Sequence, residues 1–287
     1  MNNRFVVNYS PGNTALHRLN GATKVSGFLL ITVYVIMTFD LRVMIPMFLV
    51  SAAGIVSMKP NYKPILFMAG FMFVMQGILG SAMIILLRPS SGFTHTGMDT
   101  VLYRWSDHFY LSSELLWYVG VMFFKRLCSF ATALVFILSI TPSELAAGLN
   151  AIGLPYKVCT IVSMAFRTIP DIARDYNDIR NSLMMRGLEL DKKRVGLSTR
   201  IKQMIMMLVP LIITSFGKVN NIANAMDLRG YGKQKTRTWY SEKPPGKSDW
   251  AARGILAALG CFVVYYILFH RILNPPPYTY WCPWVVF

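Results

Sequence analysis

The residues best able to do chemistry in this chain are few. Asp171, Asp175 and Asp178 stand at i, i+4 and i+7, which puts three carboxylates on one side of a helix. An acid pair of that kind can move protons, but Arg174 and Arg180 lie beside it, and a salt-bridged, solvated face is the simpler reading. His95 and His108 share one polar segment, a weak spacing for a metal pair, and His17 and His270 are far away. Cys128, Cys159, Cys261 and Cys282 form no CxxC and read as apolar fillers. The sequence contains no GxxxxGK[ST] phosphate loop, HExxH helix, EF-hand loop or GxSxG elbow. It calls for no metal, no cofactor and no catalytic constellation.

Three polar groups interrupt apolar runs: Gln76, Lys125 and Arg126. Charge at membrane depth is expensive, so such groups face protein, water or a partner, or snorkel to an interface. In a stand-alone permease they would line a substrate path.

The most distinctive chemistry is a repeated arginine. Asn181-Ser182-Leu183-Met184-Met185-Arg186-Gly187 is matched 43 residues later by Asn224-Ala225-Met226-Asp227-Leu228-Arg229-Gly230. Two ordinary helix ends would account for the Arg-Gly, since arginine is favourable near the negative pole of the helix dipole. They would not account for the matched Asn and apolar positions. Each copy presents one guanidinium at a helix tip beside an apolar anchor, Met185 or Leu228. A forked donor of that kind suits carboxylates and carbonyls in a groove. Two such tips suit a two-fold partner with two like grooves.

The elements that must position these tips follow from composition. The chain has 287 residues, 54% hydrophobic and 15% charged, with a formal net charge of +16. Soluble domains carry about 25% charged residues, so much of this surface has to face lipid. That excludes an ordinary cytosolic enzyme, a disordered chain and a nucleic-acid binder. Five apolar runs are long enough, or nearly so, to cross a bilayer: 25–39, 43–58, 65–87, 115–140 and 254–269. The fold expected is an all-α membrane protein with about five transmembrane helices. Residues 1–140 hold four of them, with an outer loop at 88–114. Residues 141–249 form a module of amphipathic helices, and 250–287 hold the last span and an aromatic tail.

Seventeen Lys and Arg residues fall in 141–249, against Arg42, Arg88 and Arg104 in the loops at 40–42 and 88–114. The positive-inside rule therefore places the N-terminus and 141–249 in the cytoplasm of a multi-pass cell-membrane protein. Thr141-Pro142-Ser143-Glu144 starts a short helix that ends before Pro155. A second short helix is expected over 156–166. Thr168-Ile169-Pro170-Asp171 repeats the start signal for a third, whose apolar stripe is Ile169, Ile172, Tyr176, Ile179 and Leu183. A longer helix is expected over 197–228, kinked at Pro210. Its 13-residue apolar core, 204–216, suits an interfacial helix better than a span.

Several of these patches, in order, resemble the transmembrane T component of energy-coupling factor (ECF) transporters, the group that includes the cobalt-transporter permease CbiQ. The resemblance rests on residues 9–19 at the N-terminal entry and on Phe123-Phe124-Lys125-Arg126-Leu127. It also rests on Thr141 to Glu144, Gly153 to Pro155, and Phe166-Arg167-Thr168-Ile169-Pro170. Met185-Arg186-Gly187 and Leu228-Arg229-Gly230 fall where the family carries its two x-Arg-x motifs. The chain departs from the family at Asn20-Gly21-Ala22, where Asp-Pro-Arg is common, and at Met185 and Leu228, where Ala is frequent. The resemblance implies a subunit without catalysis of its own. Its partners would be two ABC ATPase subunits, as a homo- or heterodimer, and a separate substrate-binding membrane subunit for a vitamin or metal ion, all within a lipid bilayer. Arg186 and Arg229 would dock in the ATPase grooves. Ile172, Tyr176, Ile179, Leu183, Met204 and Met207 would be candidate surface for the substrate-binding subunit.

Overall fold

A computed structural model describes residues 14–88, 90–91, 100–104, 110–187, 196–234, 238–239 and 246–273. The expectations for residues 9–13, His95, His108, Lys192 to Arg194, Lys235, Arg237 and the tail from Asn274 lie outside the described residues. The chain divides into two compact units. One contains Pro142–Glu242, the other Asn8–Thr141 with Lys243–Phe287.

The second unit is a bundle of long apolar helices. After a single turn, α1 (Ala15–Arg18), come α2 (Gly21–Met37), α3 (Leu41–Met58) and α4 (Tyr62–Met72). A π-helical stretch, Phe73–Leu79, joins α4 to α5 (Gly80–Leu87) without a break. A two-stranded antiparallel ribbon follows, β1 (Val101–Arg104) with β2 (Tyr110–Ser112), then α6 (Ser113–Ser139). The expected outer loop thus holds paired strands. The last helix of this unit is α10 (Lys247–Ile267), again passing into a π-helical turn, Leu268–Leu273.

The apolar runs form helices because a bilayer leaves no other way to satisfy the backbone. Close approach is set by small residues. A Cβ at Gly260 would stand 3.2 Å from Leu30, and one at Gly27 would stand 3.3 Å from Leu256, so α2 and α10 nearly touch. Tyr34, Val263 and Tyr266 form a buried cluster between these helices, with the Tyr34 and Tyr266 rings edge to face at 6.0 Å. Phe28 of α2 stacks on Phe136 of α6 at 4.2 Å, and Phe48 of α3 tilts against Phe124 at 5.5 Å.

One end of this bundle is closed by buried polar groups. The Asp249 carboxylate is 4% exposed and accepts from the backbone N–H of Asn20 at 2.7 Å and of Gly246 at 3.0 Å. The buried Lys24 ammonium donates to the carbonyls of His17 and Ser139, the latter at 2.8 Å. The beginnings of α2 and α10 and the end of α6 therefore lie together. Lys24, which the sequence places just before the first apolar run, is in the first turn of α2.

Among the described residues the other unit contains three helices: α7 (Pro142–Ala151), α8 (Tyr156–Met185) and α9 (Leu197–Leu228). The structure corrects one expectation here. Residues 156–185 form one continuous helix, with Pro170 inside it. The start signal at Thr168 is overridden: the Thr168 hydroxyl turns back and donates to the Ala165 carbonyl at 3.1 Å, so it caps nothing downstream. Proline at 170 removes one backbone donor, which a 30-residue helix tolerates.

Five helical segments have the length and hydropathy of membrane spans: Leu41–Met58, Tyr62–Leu87, Ser113–Ser139, Ile201–Leu228 and Lys247–Ile267. Gly21–Met37, at 17 residues, is a shorter apolar helix. The chain is an all-α, multi-pass membrane protein.

Candidate functional site

Arg186 and Arg229 each follow the last residue of a long helix. Their backbone angles are alike, φ −85°, ψ 11° and φ −83°, ψ 7°. Each is followed by a glycine in the left-handed region, Gly187 at φ +86° and Gly230 at φ +67°. A side chain at those angles is strained, so glycine is what lets each helix stop at this point. The hydrogen bonds match too: Gly187 N–H donates to the Met184 carbonyl at 3.0 Å, and Gly230 N–H to the Asp227 carbonyl at 2.9 Å. The preceding apolar residues stand out in the open, Met185 at 83% and Leu228 at 90% exposure.

The arms that carry the tips pack against each other. The Lys218 ammonium of α9 pairs with the Asp175 carboxylate of α8. Asp171 accepts from Arg174 at 3.3 Å. Two of the three carboxylates on this face are thus ion-paired, which agrees with a salt-bridged surface and leaves the acid pair occupied.

The second tip is built into an aromatic surround. Tyr231, two residues beyond Arg229, stacks edge-on against Tyr156 at 5.8 Å. The Trp239 indole donates to Asn150 at 3.0 Å, tying this segment back to α7. Together with Thr160, Met164, Met226 and Arg229 these aromatic residues line a cavity of about 350 Å³. Sequence reasoning passed over it. Its only signal there was the aromatic character of Tyr231 and Trp239 within a polar segment.

Of the apolar positions singled out on the arms, Ile172, Tyr176 and Met204 are exposed, Ile179 and Leu183 are half-buried, and Met207 is 6% exposed. Ile201, Ile205, Ile212, Ile213 and Phe216 add exposed apolar surface on α9.

Of the three polar groups within the spans, Arg126 and Gln76 line one groove and Lys125 does not. Lys125 donates to the Ile36 carbonyl at 2.6 Å and sits 3.6 Å over the Phe39 ring. Arg126 turns the other way and donates to the Gln76 carbonyl at 2.8 Å, inside the π-helical stretch.

Long apolar helices and a pair of exposed, matched arginine tips define a helical membrane protein. The family described as "CbiQ: Cobalt transport protein" matches residues 12–240. The chain belongs to that family of transporter components. It is also similar to curated proteins named energy-coupling factor transporter transmembrane protein EcfT. With that of Bacillus selenitireducens it is 27% identical over 250 residues, covering 84% of this chain and 88% of the relative. With that of Exiguobacterium sibiricum it is 25% identical over 270 residues, covering 89% and 95%. With that of Lactococcus lactis subsp. cremoris it is 24% identical over 276 residues, covering 93% and 97%.

Proposed function

We propose that this chain is the energy-coupling subunit of an ECF-type importer. It transmits the ATP-driven motion of two cytosolic ATPases to a separate membrane subunit that captures a vitamin or metal ion. ATP hydrolysis belongs to the ATPases, and the choice of substrate to the capturing subunit. The basic module 141–249 and the N-terminus face the cytoplasm in this reading, which the excess of Lys and Arg there supports.

The observation that carries this reading is the likeness of the two tips. Arg186 and Arg229 have the same backbone angles, the same left-handed glycine behind them and an exposed apolar anchor in front. Equivalent tips suit a dimeric partner with two equivalent grooves, and a guanidinium suits carboxylates or carbonyls lining them. The exposed apolar faces of α8 and α9, including Ile172, Tyr176 and Met204, are the surface offered to the substrate-binding subunit.

The test is co-purification. The wild-type chain should bring down two ATPase subunits and a small membrane protein. Arg186→Glu with Arg229→Glu should release the ATPases while the chain still inserts. Retention of ATPases and transport by that double variant would refute the docking assignment.

A further inference from the structure

Arg126 lies midway along α6 and, among the described residues, has no ion pair. Its Nη1 donates to one main-chain carbonyl, that of Gln76, at 2.8 Å. A neutral carbonyl satisfies one of five guanidinium donors and neutralises nothing. Among the described residues neither Arg126 nor Arg88 is ion-paired. Two carboxylates of this unit are engaged elsewhere: Asp40 accepts from Tyr266 and Glu114 from Thr100. An uncompensated cation among apolar helices is costly, and among the described residues no carboxylate offsets this one, so an anion bound in the groove would be favoured.

The surroundings say what kind of anion. Arg126 and Arg88 line one groove of about 980 Å³, between α6 on one wall and the π-helical stretch with α5 on the other. Most of the lining is aliphatic, and Leu79, Met83, Leu86 and Leu87 are all more than half exposed. Gln76 and Tyr118 are among the few other polar side chains in it. The cations also lie near a polar boundary. Lys125, adjacent to Arg126, reaches Ile36 and Phe39, beside the turn where α2 ends. Helical side chains lean toward the N-terminus of their helix, so Arg126 leans along α6 toward the end where Arg88 closes α5. The fit at this position is also tight. A Cβ at Gly80 would stand 2.8 Å from Arg126 Nη1, and one at Gly77 would stand 2.9 Å from the Phe123 ring, so two glycines make room for the guanidinium and its neighbour.

The geometry points to a binding site for an anionic phospholipid in this groove, its phosphate held by Arg126 and Arg88 and its acyl chains along the Leu79–Leu87 wall. A phosphate diester supplies the missing charge, and its chains cover the exposed aliphatic wall. A soluble anion would satisfy the arginines and leave that wall bare. The site is separate from the arginine tips and does not depend on the role proposed for them.

The full chain, alone in nanodiscs that mix phosphatidylglycerol with phosphatidylcholine, tests this. Brominated phosphatidylglycerol should quench a tryptophan placed at Met122 more strongly than brominated phosphatidylcholine does. Arg126→Gln and Arg88→Gln should each reduce the preference roughly fivefold, since a basic residue near an anionic surface contributes about 1 kcal/mol. Arg126→Lys should keep most of it, which guards against simple misfolding. Added inorganic phosphate should not abolish the quenching. Equal quenching by both lipids, or a preference that survives both glutamine variants, would overturn the proposal. So would full competition by free phosphate. Loss of a co-purifying membrane protein from Arg126→Gln, with lipid preference unchanged, would assign the anion to a partner's carboxylate instead and equally overturn it.

Discussion

Lys218 pairs with Asp175, and the two residues occupy the same place in the repeat: 43 residues separate them, as 43 separate Arg229 from Arg186. Each arginine therefore lies eleven residues beyond the point where α8 and α9 are joined. At 1.5 Å per residue that is about 16 Å of helix on either arm. A load applied at one tip meets the same lever as a load applied at the other.

The charge swap is the sharpest test of that joint. Asp175→Lys or Lys218→Asp alone should lower substrate uptake by the assembled transporter, and the double swap should restore part of it. The Lys218 side chain is 49% exposed and that of Asp175 21%, so solvent still screens the pair and its contribution to stability should stay at about 1 kcal/mol. Thermal midpoints of all three variants should fall close together. A large loss of stability in either single variant would mean that the pair holds the unit together, with no special part in its motion.

Gly187→Val and Gly230→Val should distort the helix ends. A β-branched residue at φ +86° or +67° costs on the order of 1–3 kcal/mol. The helix would lengthen or fray, and the adjacent arginine would re-aim. ATPase co-purification should drop for each variant, while membrane insertion, read by fractionation, remains. Gly→Asn, better tolerated in the left-handed region, should be milder.

Asp249→Ala should destabilise the transmembrane unit by about 2–3 kcal/mol, because it strands two N–H groups that the carboxylate now serves. Asp249→Asn keeps an acceptor and should cost less. Unfolding of the detergent-solubilised chain, followed by thiol exposure at the buried Cys128, would rank the two.

Cysteine labelling should separate the two units. Cys159 is fully buried, its Sγ donates to the Leu154 carbonyl, and burial pushes its thiol above the ordinary range. A raised pKa means less thiolate at a given pH, so iodoacetamide should modify Cys159 slowly at pH 8 and faster only as the pH climbs. In a Cys282→Ser background Cys261 is exposed within the apolar span Lys247–Ile267, so a membrane-permeant maleimide should reach it before the buried Cys159. Mass mapping of the alkylated peptides decides the order.

Much of this architecture was legible in the residues. Long uncharged runs such as 65–87 give a helix whatever their neighbours do, and the Arg-Gly repeat marked both tips. What escaped depends on competition or on distance. Thr168-Ile169-Pro170 has the composition of a helix start, but packing of the flanking turns decided for continuity. The π-helical stretch Phe73–Leu79 has no signature of its own, since apolar residues surround every turn of it. Val101–Arg104 is strand-prone but short, and only pairing with Tyr110–Ser112 makes it a strand. The cavity beside Arg229 joins Tyr156 to Trp239 across 83 positions, a relation no local pattern encodes.

The bond from Asn20 N–H to Asp249 joins residues 229 apart in sequence. Contacts of such range form late, because the intervening chain must first be made and placed. During synthesis the amino end of α2 thus waits, its donor unmet, until the final helix leaves the ribosome. A chain cut short before Lys247 would lose more than its last helix: the first would be left without its anchor, a fault that quality-control proteases can recognise.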